Sequence, residues 1–312
     1  MSKILVCGSI AFDNIMDFPG LFGEHILSES IHSLNVSFLV NSLKRARGGT
    51  APNISYNLAL VGLKPSIVGT AGRDFGEYRQ WLESKGVDTS NIRILEDDFT
   101  ASCFITTDKA SNQITVFYPG AMAKDPEISM KNLDLSDVSM VIVAPTEPEA
   151  MMKWARECSE LKVPYMFDPG MQIPRLSAEQ LAEGIMGSTI TIMNEYEFMM
   201  MKEKTGLDKK DILEKVELFV ETKGSKGSIL STRNTEVHIP AAKASRVADP
   251  TGAGDAFRAG LIKGYMEGAP LEITGKYASV TAVYAVEHKG GTEHYYTIDE
   301  FYKRYNENFG SI

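Results

Sequence analysis

Short apolar runs alternate with helix-patterned segments along most of this 312-residue chain, and the alternation restricts it to few folds. The run KILVC at residues 3–7 ends at Gly8, as a buried parallel strand does at the carboxyl edge of a sheet. Strands that alternate with helices predict a doubly wound, mainly parallel α/β sheet with helices on both faces. Further strand-like runs lie at 66–68, 140–143, 165–167, 190–193 and 228–230, and helical patterns lie at 76–85, 148–161, 178–185, 208–221 and 254–266.

Two stretches, about 13–44 and 98–119, interrupt the alternation. In the second stretch, ASCFITT and QITVFYP flank the turn-like DKASN, which is the pattern of a β-hairpin. We interpret both stretches as insertions that form a small β lid over the carboxyl edge of the sheet, where ligands of α/β proteins bind. The sequence shows no internal repeat and no low-complexity linker, so residues 1–312 are predicted to form a single domain that carries this lid.

Charge and composition disfavour several kinds of partner. Lys and Arg total 32 against 41 Asp and Glu, and a net charge of −9 repels nucleic-acid backbones and anionic membranes. The start of the sequence lacks the pattern of a signal peptide, and no stretch approaches the ~20 apolar residues of a membrane span. The cysteines Cys7, Cys103 and Cys158 are odd in number and far apart, which favours a reducing compartment and hence the cytoplasm.

The stretch DPTGAGDAFRAG at 249–260 carries the clearest chemical signal. Gly252 and Gly254 flank Ala253 just before a helical run, so unpaired amides of the first helical turn can face a phosphoryl group. Asp255 lies in the same turn, where its carboxylate can take the proton of an attacking hydroxyl. In the alternative interpretation, Asp255 caps or complements its own helix and the glycines only form a tight turn.

Other phosphate-binding and metal-binding patterns are absent from the sequence. There is no G-x-x-x-x-G-K-[ST], and Gly8 is not followed by the glycines of a dinucleotide-binding fingerprint. The histidines form no H-x-x-x-H pattern and no cluster with cysteine. These absences argue against a P-loop NTPase, a nicotinamide enzyme and a structural zinc site.

The string DPTGAGDAF resembles the C-terminal signature of the ribokinase-like (PfkB) family of carbohydrate and nucleoside kinases. Further segments resemble family elements in the same order along almost the whole chain. The resemblance implies a ribokinase-like fold and magnesium-dependent transfer of the γ-phosphoryl group of ATP to a hydroxymethyl group. The similar segments are RARGGTAPNISYNLALVG with its glycine pair, residues 69–90, NEYE at 194–197 and TKGSKG at 222–227.

The resemblance also implies a role for each matching residue at the reacting centre. Asp255 would be the general base, and the amides of Gly252, Ala253 and Gly254 would form the anion hole. Gly49 would let the backbone approach the acceptor sugar, and a side-chain amide would donate to its hydroxyls. The acceptor would be contacted by Ser9, Asp13, Gly48, Gly49 and Asn53.

For magnesium and ATP, the resemblance points to the carboxyl ends of later strands. Asn194 and Glu197 would lie near Mg²⁺, mainly through water, because this ion keeps several waters and takes few protein ligands. Many relatives also place K⁺ beside the loop that here holds Asp249, near Gly291. The residues alone leave alternatives open, namely an Asn194 helix cap and a plain hairpin turn at 224–227. The ATP phosphates would be flanked by Asn194, Thr222, Gly224 and Gly227.

QITVFYPGAM at 113–122 and GDAFRAG look like the nucleoside-kinase branch, which includes adenosine kinases. The predicted reaction is therefore phosphorylation of the 5′-hydroxyl of an adenosine-like nucleoside. Phe104 and Phe117 of the lid would stack on the base or, in the alternative interpretation, only pack the lid. The alternatives are a monosaccharide kinase on the same machinery and a non-catalytic ligand sensor, which would gain nothing from an intact Asp255. Open strand edges on the lid can pair across a two-fold axis, which favours a homodimer, and no nucleic-acid or membrane partner is expected.

Overall fold

The computed structural model of the protein describes residues 3–26 and 32–311. Its strands form a nine-stranded main sheet and a separate four-stranded sheet. The strands are β1 (Lys3–Cys7), β2 (Ala11–Asp17), β3 (Ser42–Gly48), β4 (Lys64–Gly72), β5 (Ile92–Leu95), β6 (Ala101–Thr107), β7 (Gln113–Tyr118), β8 (Val138–Val143), β9 (Tyr165–Phe167), β10 (Ile190–Asn194), β11 (Leu218–Thr222), β12 (Ser228–Ser231) and β13 (Glu236–Ile239).

The main sheet has the order β13-β12-β11-β10-β9-β8-β1-β4-β5. Its strands from β11 to β5 run parallel, whereas β12 and β13 are antiparallel to their neighbours at one edge. The predicted doubly wound, mainly parallel sheet is confirmed. Because the parallel strands are buried on both faces, they appear in the sequence as continuous apolar runs.

Helices cover both faces of this sheet. Ile4 and Val6 of β1 pack on the side that carries α2, α3 and α8, whereas Leu5 and Cys7 pack on the side of α4 to α7. Helix α10 closes a smaller core against α9. The helices are α1 (Phe22–His25), α2 (Thr50–Leu60), α3 (Gly76–Ser84), α4 (Pro148–Leu161), α5 (Ala178–Met186), α6 (Glu195–Thr205), α7 (Lys209–Leu213), α8 (Ala253–Met266), α9 (Leu271–Val286) and α10 (Ile298–Phe309).

The second sheet, which we call the lid, has the order β3-β2-β6-β7. The expected hairpin is present as β6 and β7, which pair antiparallel on either side of the 108–112 turn. The first expected insertion contributes β2 and β3, although β2 begins at Ala11 and β3 ends at Gly48. Part of this insertion, residues 27–31, lies outside the described residues.

Two details of the predicted main sheet are wrong. The helix expected at 208–221 ends at Leu213, and Leu218–Thr222 forms β11 between β10 and β12. The run at 228–230 forms β12, which is antiparallel and not parallel to its neighbours. In both cases pairing across the sheet overrides local helical propensity, because the apolar positions of β11 are buried on both faces.

In the described parts of the chain, no helix combines the length and the apolar composition that are needed to cross a membrane. Cys7 and Cys158 are buried as free thiols, and Cys103 is half-buried in the lid.

Candidate active site

The turn before α8 presents backbone amides at the carboxyl edge of the sheet. Gly252 adopts the left-handed conformation with φ +78°, and a Cβ there would lie 2.5 Å from the Cα of Gly291. Only glycine therefore fits this turn. The Ala253 amide donates to the carbonyl of Pro250 at 3.2 Å. Within the described residues, the amides of Gly252, Gly254 and Asp255 have no hydrogen-bond acceptor, so they are available to an anion.

Asp255 is the third residue of α8 and belongs to the same first turn as these free amides. The Nδ2 of Asn53 on α2 donates to Asp255 Oδ2 at 2.9 Å, across 202 positions of sequence. The Asp255 side chain forms no helix-cap hydrogen bond, whereas its place in the first turn of α8 still lets it complement the helix dipole. Burial raises the pKa of Asp255 to about 6, although Arg258 and the Asn53 hydrogen bond lower it and Asp168 adds to the rise.

Arg258 and Asp168 are site residues that sequence reasoning missed. The guanidinium of Arg258 forms a two-pronged ion pair with Asp168, in which Nη2 donates to Oδ1 at 2.7 Å and Nε donates to Oδ2. The Nη1 of Arg258 donates to the carbonyl of Gly254 at 2.8 Å. Two signals in the sequence point to this pair: Arg258 lies three residues after Asp255, and Asp168 directly follows a buried strand.

The glycine pair at the start of α2 lets two backbone segments approach each other closely. Gly49 has φ +92°, and a Cβ there would lie 2.4 Å from the carbonyl oxygen of Ser9. The Ser9 hydroxyl accepts from the Thr50 amide at 3.1 Å, and the Ser9 amide donates to the Thr50 hydroxyl at 3.2 Å. Gly49 and Ser9 thus hold the start of α2 in place, which positions Asn53 one turn later.

Asp13 lies on β2 of the lid, directly against the glycine pair. A Cβ at Gly48 would lie 2.4 Å from Asp13 Oδ2, so the missing side chain leaves room for this carboxylate. The Tyr78 hydroxyl fixes the Gly48 carbonyl with a 3.0 Å hydrogen bond. Burial raises the pKa of Asp13, and within the described residues its carboxylate has no hydrogen-bond partner. A ligand hydroxyl can therefore bind there.

The strand register separates the two lid phenylalanines. Phe117 of β7 lies opposite Cys103, which in turn pairs with Asp13, whereas Phe104 pairs with Val116 and Asn14. Because paired residues share a face of a sheet and neighbours along a strand alternate, Phe104 and Phe117 lie on opposite faces. A base bound against the lid can contact only one of these rings, and Phe117 is the one on the Asp13 face.

Asn194 and Glu197 form a reciprocal capping box at the start of α6. Asn194 Oδ1 accepts from the Glu197 amide at 2.8 Å, and Glu197 Oε2 accepts from the Asn194 amide at 2.7 Å. The cap role is therefore present, but among the described residues it leaves Asn194 Nδ2 and Glu197 Oε1 without a partner, so both can act on a bound group. In the described residues, no cluster of three or more His, Cys, Asp or Glu side chains could hold a metal. This donor set fits Mg²⁺, which is bound largely by water and phosphate.

Thr222 and the glycines after it lie beside Asn194. The register of β10 and β11 pairs Asn194 with Thr222, and Gly224 and Gly227 form the turn from β11 to β12. Gly227 has φ +95°, and a Cβ there would lie 1.9 Å from the Ile239 carbonyl oxygen, so this position accepts only glycine. The hairpin-turn alternative is thus correct as geometry, while the nucleotide-binding role stays a prediction.

Residues 3–297 match the profile described as pfkB family carbohydrate kinase. The chain belongs to this family. The match makes the protein a phosphotransferase with the ribokinase-like fold, as the motifs had indicated, and every predicted site residue lies within the matched range.

Similar members of the family are nucleoside kinases. A nucleoside kinase of Methanocaldococcus jannaschii is 32% identical over 306 residues, which cover 97% of each chain. The structure of a Burkholderia thailandensis nucleoside kinase in complex with inosine has a TM-score of 0.87 and 36% identity over 98% of both chains. The same kinase in complex with ADP-inosine has a TM-score of 0.85 and 37% identity over 98% of this chain and 96% of that one.

Proposed function

We propose that this pfkB family member transfers the γ-phosphoryl group of ATP to the 5′-hydroxyl of a nucleoside, with purine nucleosides preferred. The observation that carries the proposal is the pairing of Asn53 with Asp255 beside the free amides before α8. This arrangement combines a base, its orienting partner and an anion site at one position. The similar Burkholderia thailandensis kinase, with structures in complex with inosine and with ADP-inosine, supports the choice of acceptor and donor.

In the proposed reaction, Asp255 takes the proton of the acceptor hydroxyl as its oxygen attacks the γ-phosphorus. The new oxygen–phosphorus bond forms while the bond between the γ-phosphorus and the bridging oxygen breaks, and ADP leaves. The free amides of Gly252, Gly254 and Asp255 stabilise the charge that is redistributed over the phosphoryl oxygens. The predicted contribution of the Ala253 amide requires it to exchange its long bond to Pro250 for one to phosphate.

Asn194 and Glu197 are proposed to serve ATP and magnesium. When bound with ATP, Mg²⁺ neutralises phosphate charge and aligns the β- and γ-phosphates. Glu197 Oε1 would accept from waters of the ion, and Asn194 Nδ2 would donate to a phosphate oxygen. Thr222, next to Asn194 in the sheet, and the 224–227 turn would border the same phosphates.

The acceptor is proposed to bind between the glycine pair and the Asp13 face of the lid. Asp13 would accept from sugar hydroxyls, and Phe117 would stack on the base. The second candidate, a monosaccharide kinase, uses the same Asp255 and Asn53 but needs no aromatic contact. The half-exposed Phe117 ring on the Asp13 face favours the nucleoside.

An acceptor screen tests this proposal. ADP formation is measured with purine and pyrimidine nucleosides, ribose and fructose, each with and without Mg²⁺. Higher kcat/KM for purine nucleosides is expected, with no turnover when magnesium is removed. A higher kcat/KM for a hexose would favour the monosaccharide kinase, and ligand binding without ADP formation by any acceptor would favour the sensor.

Three further features belong to the same proposal. From the family resemblance we expect K⁺ to raise activity beside the loop of Asp249, whose carboxylate accepts from the Thr251 amide at 2.9 Å and from the Gly290 amide at 3.0 Å. Equal activity in K⁺, in Na⁺ and in neither would remove that claim.

We also propose a homodimer formed through the lid, whose edge strand β7 is exposed along its length, to be tested by sedimentation. A cytoplasmic location would suit an ATP-dependent enzyme with buried free thiols.

A further inference from the structure

Arg258 forms three hydrogen bonds at the centre of the candidate site, two to the Asp168 carboxylate and one to the Gly254 carbonyl. The side chains of Arg258 and Asp168 are only 11% and 2% exposed. A guanidinium has five N–H donors, so two remain after these contacts. The planar two-pronged pairing fixes the orientation of the guanidinium, which a lysine in its place would not do.

The contact with Gly254 links this ion pair to the anion site. The Gly254 carbonyl belongs to the same peptide group as the free Asp255 amide, so a charged donor on the oxygen strengthens that N–H as a donor. A Cβ at Gly254 would lie 2.9 Å from Arg258 Nη1, so the glycine leaves room for the guanidinium. Asp168 follows β9, and the pair therefore links the first turn of α8 to the carboxyl edge of the main sheet.

Arg258 also faces an excess of negative charge. Burial disfavours its charged form, but its interactions with Asp168, Asp255 and Glu197 outweigh that effect and raise the pKa of the guanidinium. Burying an ion pair only for stability brings little gain, because desolvation offsets the attraction. A buried arginine that is surrounded by acidic groups beside an anion site is better explained by a role in the reaction.

The groups that face Asp255 come from several elements packed around it. Asn53 of α2 is uncharged and donates a hydrogen bond to Asp255. The titratable and charged groups are Arg258 on α8 itself, Asp168 at the end of β9 and, more distantly, Tyr78 on α3. Arg258 is thus the one cation in this set, and Asp168 is the anion that offsets it.

We propose that Arg258 is a positioning residue of the kinase reaction: Asp168 orients its guanidinium, which holds the first turn of α8 and keeps a fixed positive charge beside Asp255. This inference rests on the proposed function, since it concerns the same base and the same anion site. It predicts that the two partners act in opposite directions on the base. Loss of Arg258 should favour protonated Asp255, whereas loss of the Asp168 charge should favour the carboxylate.

The experiment measures kcat/KM for a purine nucleoside from pH 5 to pH 9 in the wild type, Arg258→Met and Asp168→Asn. In Arg258→Met, the acidic limb of the pH profile, where kcat/KM falls as Asp255 is protonated, should move to higher pH. The loss of activity relative to the wild type should therefore be larger at pH 6 than at pH 9. Asp168→Asn should move the same limb to lower pH. A structural role for the pair predicts lower melting temperatures in both variants with the limb unmoved, and that result would overturn the inference.

A second measurement does not depend on turnover. The ionisation of Asp255 can be followed by carboxyl NMR, with Asp255→Asn used to assign the signal. Its midpoint should rise in Arg258→Met and fall in Asp168→Asn, and equal midpoints in all three proteins would contradict the inference. If Arg258→Met does not fold, Arg258→Lys replaces it, and we expect kcat to fall with the midpoint nearly retained, because the charge stays and the fork is lost. If the midpoints move in the two variants as expected but the wild type phosphorylates no acceptor, the proposed function is refuted and the electrostatic role of Arg258 stands.

Discussion

The first turn of α8 and the lid differ in the kind of side chains they present and in how firmly these are held. At the α8 turn, charged side chains from distant segments are fixed by hydrogen bonds, as the Asn53–Asp255 contact and the Asp168–Arg258 pair show. On the lid, β7 is exposed throughout, and the Phe117 ring is 48% exposed. Charge stabilisation requires groups that are already oriented, whereas apolar recognition can be completed by the ligand. Changes at the turn should therefore lower kcat, and changes in the lid should raise the acceptor KM.

The largest effect is expected from Asp255→Asn. The substitution keeps the shape of the side chain and removes the proton acceptor, so kcat should fall by roughly 10² to 10⁴, the usual contribution of a positioned general base. The affinities for acceptor and ATP should change far less, because the proton moves only as phosphoryl transfer proceeds.

The melting temperature of the same Asp255→Asn preparation is the control. A carboxylate that served only the helix would cost on the order of 1 kcal/mol or less in stability and leave catalysis largely intact. Near-normal turnover with a lower melting temperature would therefore remove the base from the mechanism.

The next effect tests the lid through Asp13→Asn. Hydrogen bonds to a charged group contribute about 1.5 to 3 kcal/mol, so the acceptor KM should rise by about tenfold to a hundredfold. The value of kcat should change little, since the hydroxyl contacts are made in the ground state and in the transition state alike. Asp17→Asn is a matched control on the same face of β2, farther from the glycine pair. A rise in the ATP KM instead would assign Asp13 to the other ligand.

The third prediction concerns the pH dependence of activity, which Asp255 in the α8 turn should determine. The pKa of Asp255 is raised from its usual value to about 6, and only the carboxylate form can accept a proton. Activity should therefore rise with pH through about 6 and lie about tenfold lower at pH 5 than at pH 8. A raised carboxyl pKa means that the folded protein binds this proton more tightly than the unfolded chain does, so acidification at this group does not destabilise the fold. Thermal melts at pH 5 and pH 8 should show that the activity is lost before the structure.

The smallest effect compares the two lid phenylalanines. Phe117→Ala should raise the KM for nucleosides about fivefold, the lower end of the ~1 to 3 kcal/mol that stacking contributes per base. Phe104→Ala removes an equal ring from the opposite face of the same hairpin and should leave that KM unchanged. Equal effects of the two substitutions would indicate that the rings support the lid and do not bind the base.

The local features of this fold could be predicted from the sequence. The glycines before α8, the apolar strands and the hairpin at 101–118 each follow from a few neighbouring residues. Features that depend on contacts between segments far apart in the sequence could not be predicted in this way. Residues 214–221 carry a helical pattern, yet Leu218–Thr222 is buried as a strand because β10 and β12 lie on either side of it.

The candidate site shows the same limit. Asp255 and the glycine turn were found because they share one helical turn, but the Asp168–Arg258 pair joins residues 90 positions apart. The sequence did not show that Phe104 and Phe117 lie on opposite faces of the lid, because the side of a strand depends on its register, and register is set by the partner strand. Residue types thus indicated the chemistry, and only the pairing of strands showed which side chains meet.

The Asn53–Asp255 contact has a consequence for synthesis on the ribosome. Both sheets are encoded before residue 240, whereas the base enters only with α8, which begins at Ala253. Since chains emerge from the amino terminus, most of the acceptor-binding residues are synthesised while the general base is still absent. A nascent chain that ends near residue 250 lacks the base, the anion site and the apolar side chains of α8 that complete the main core, so it should form no product.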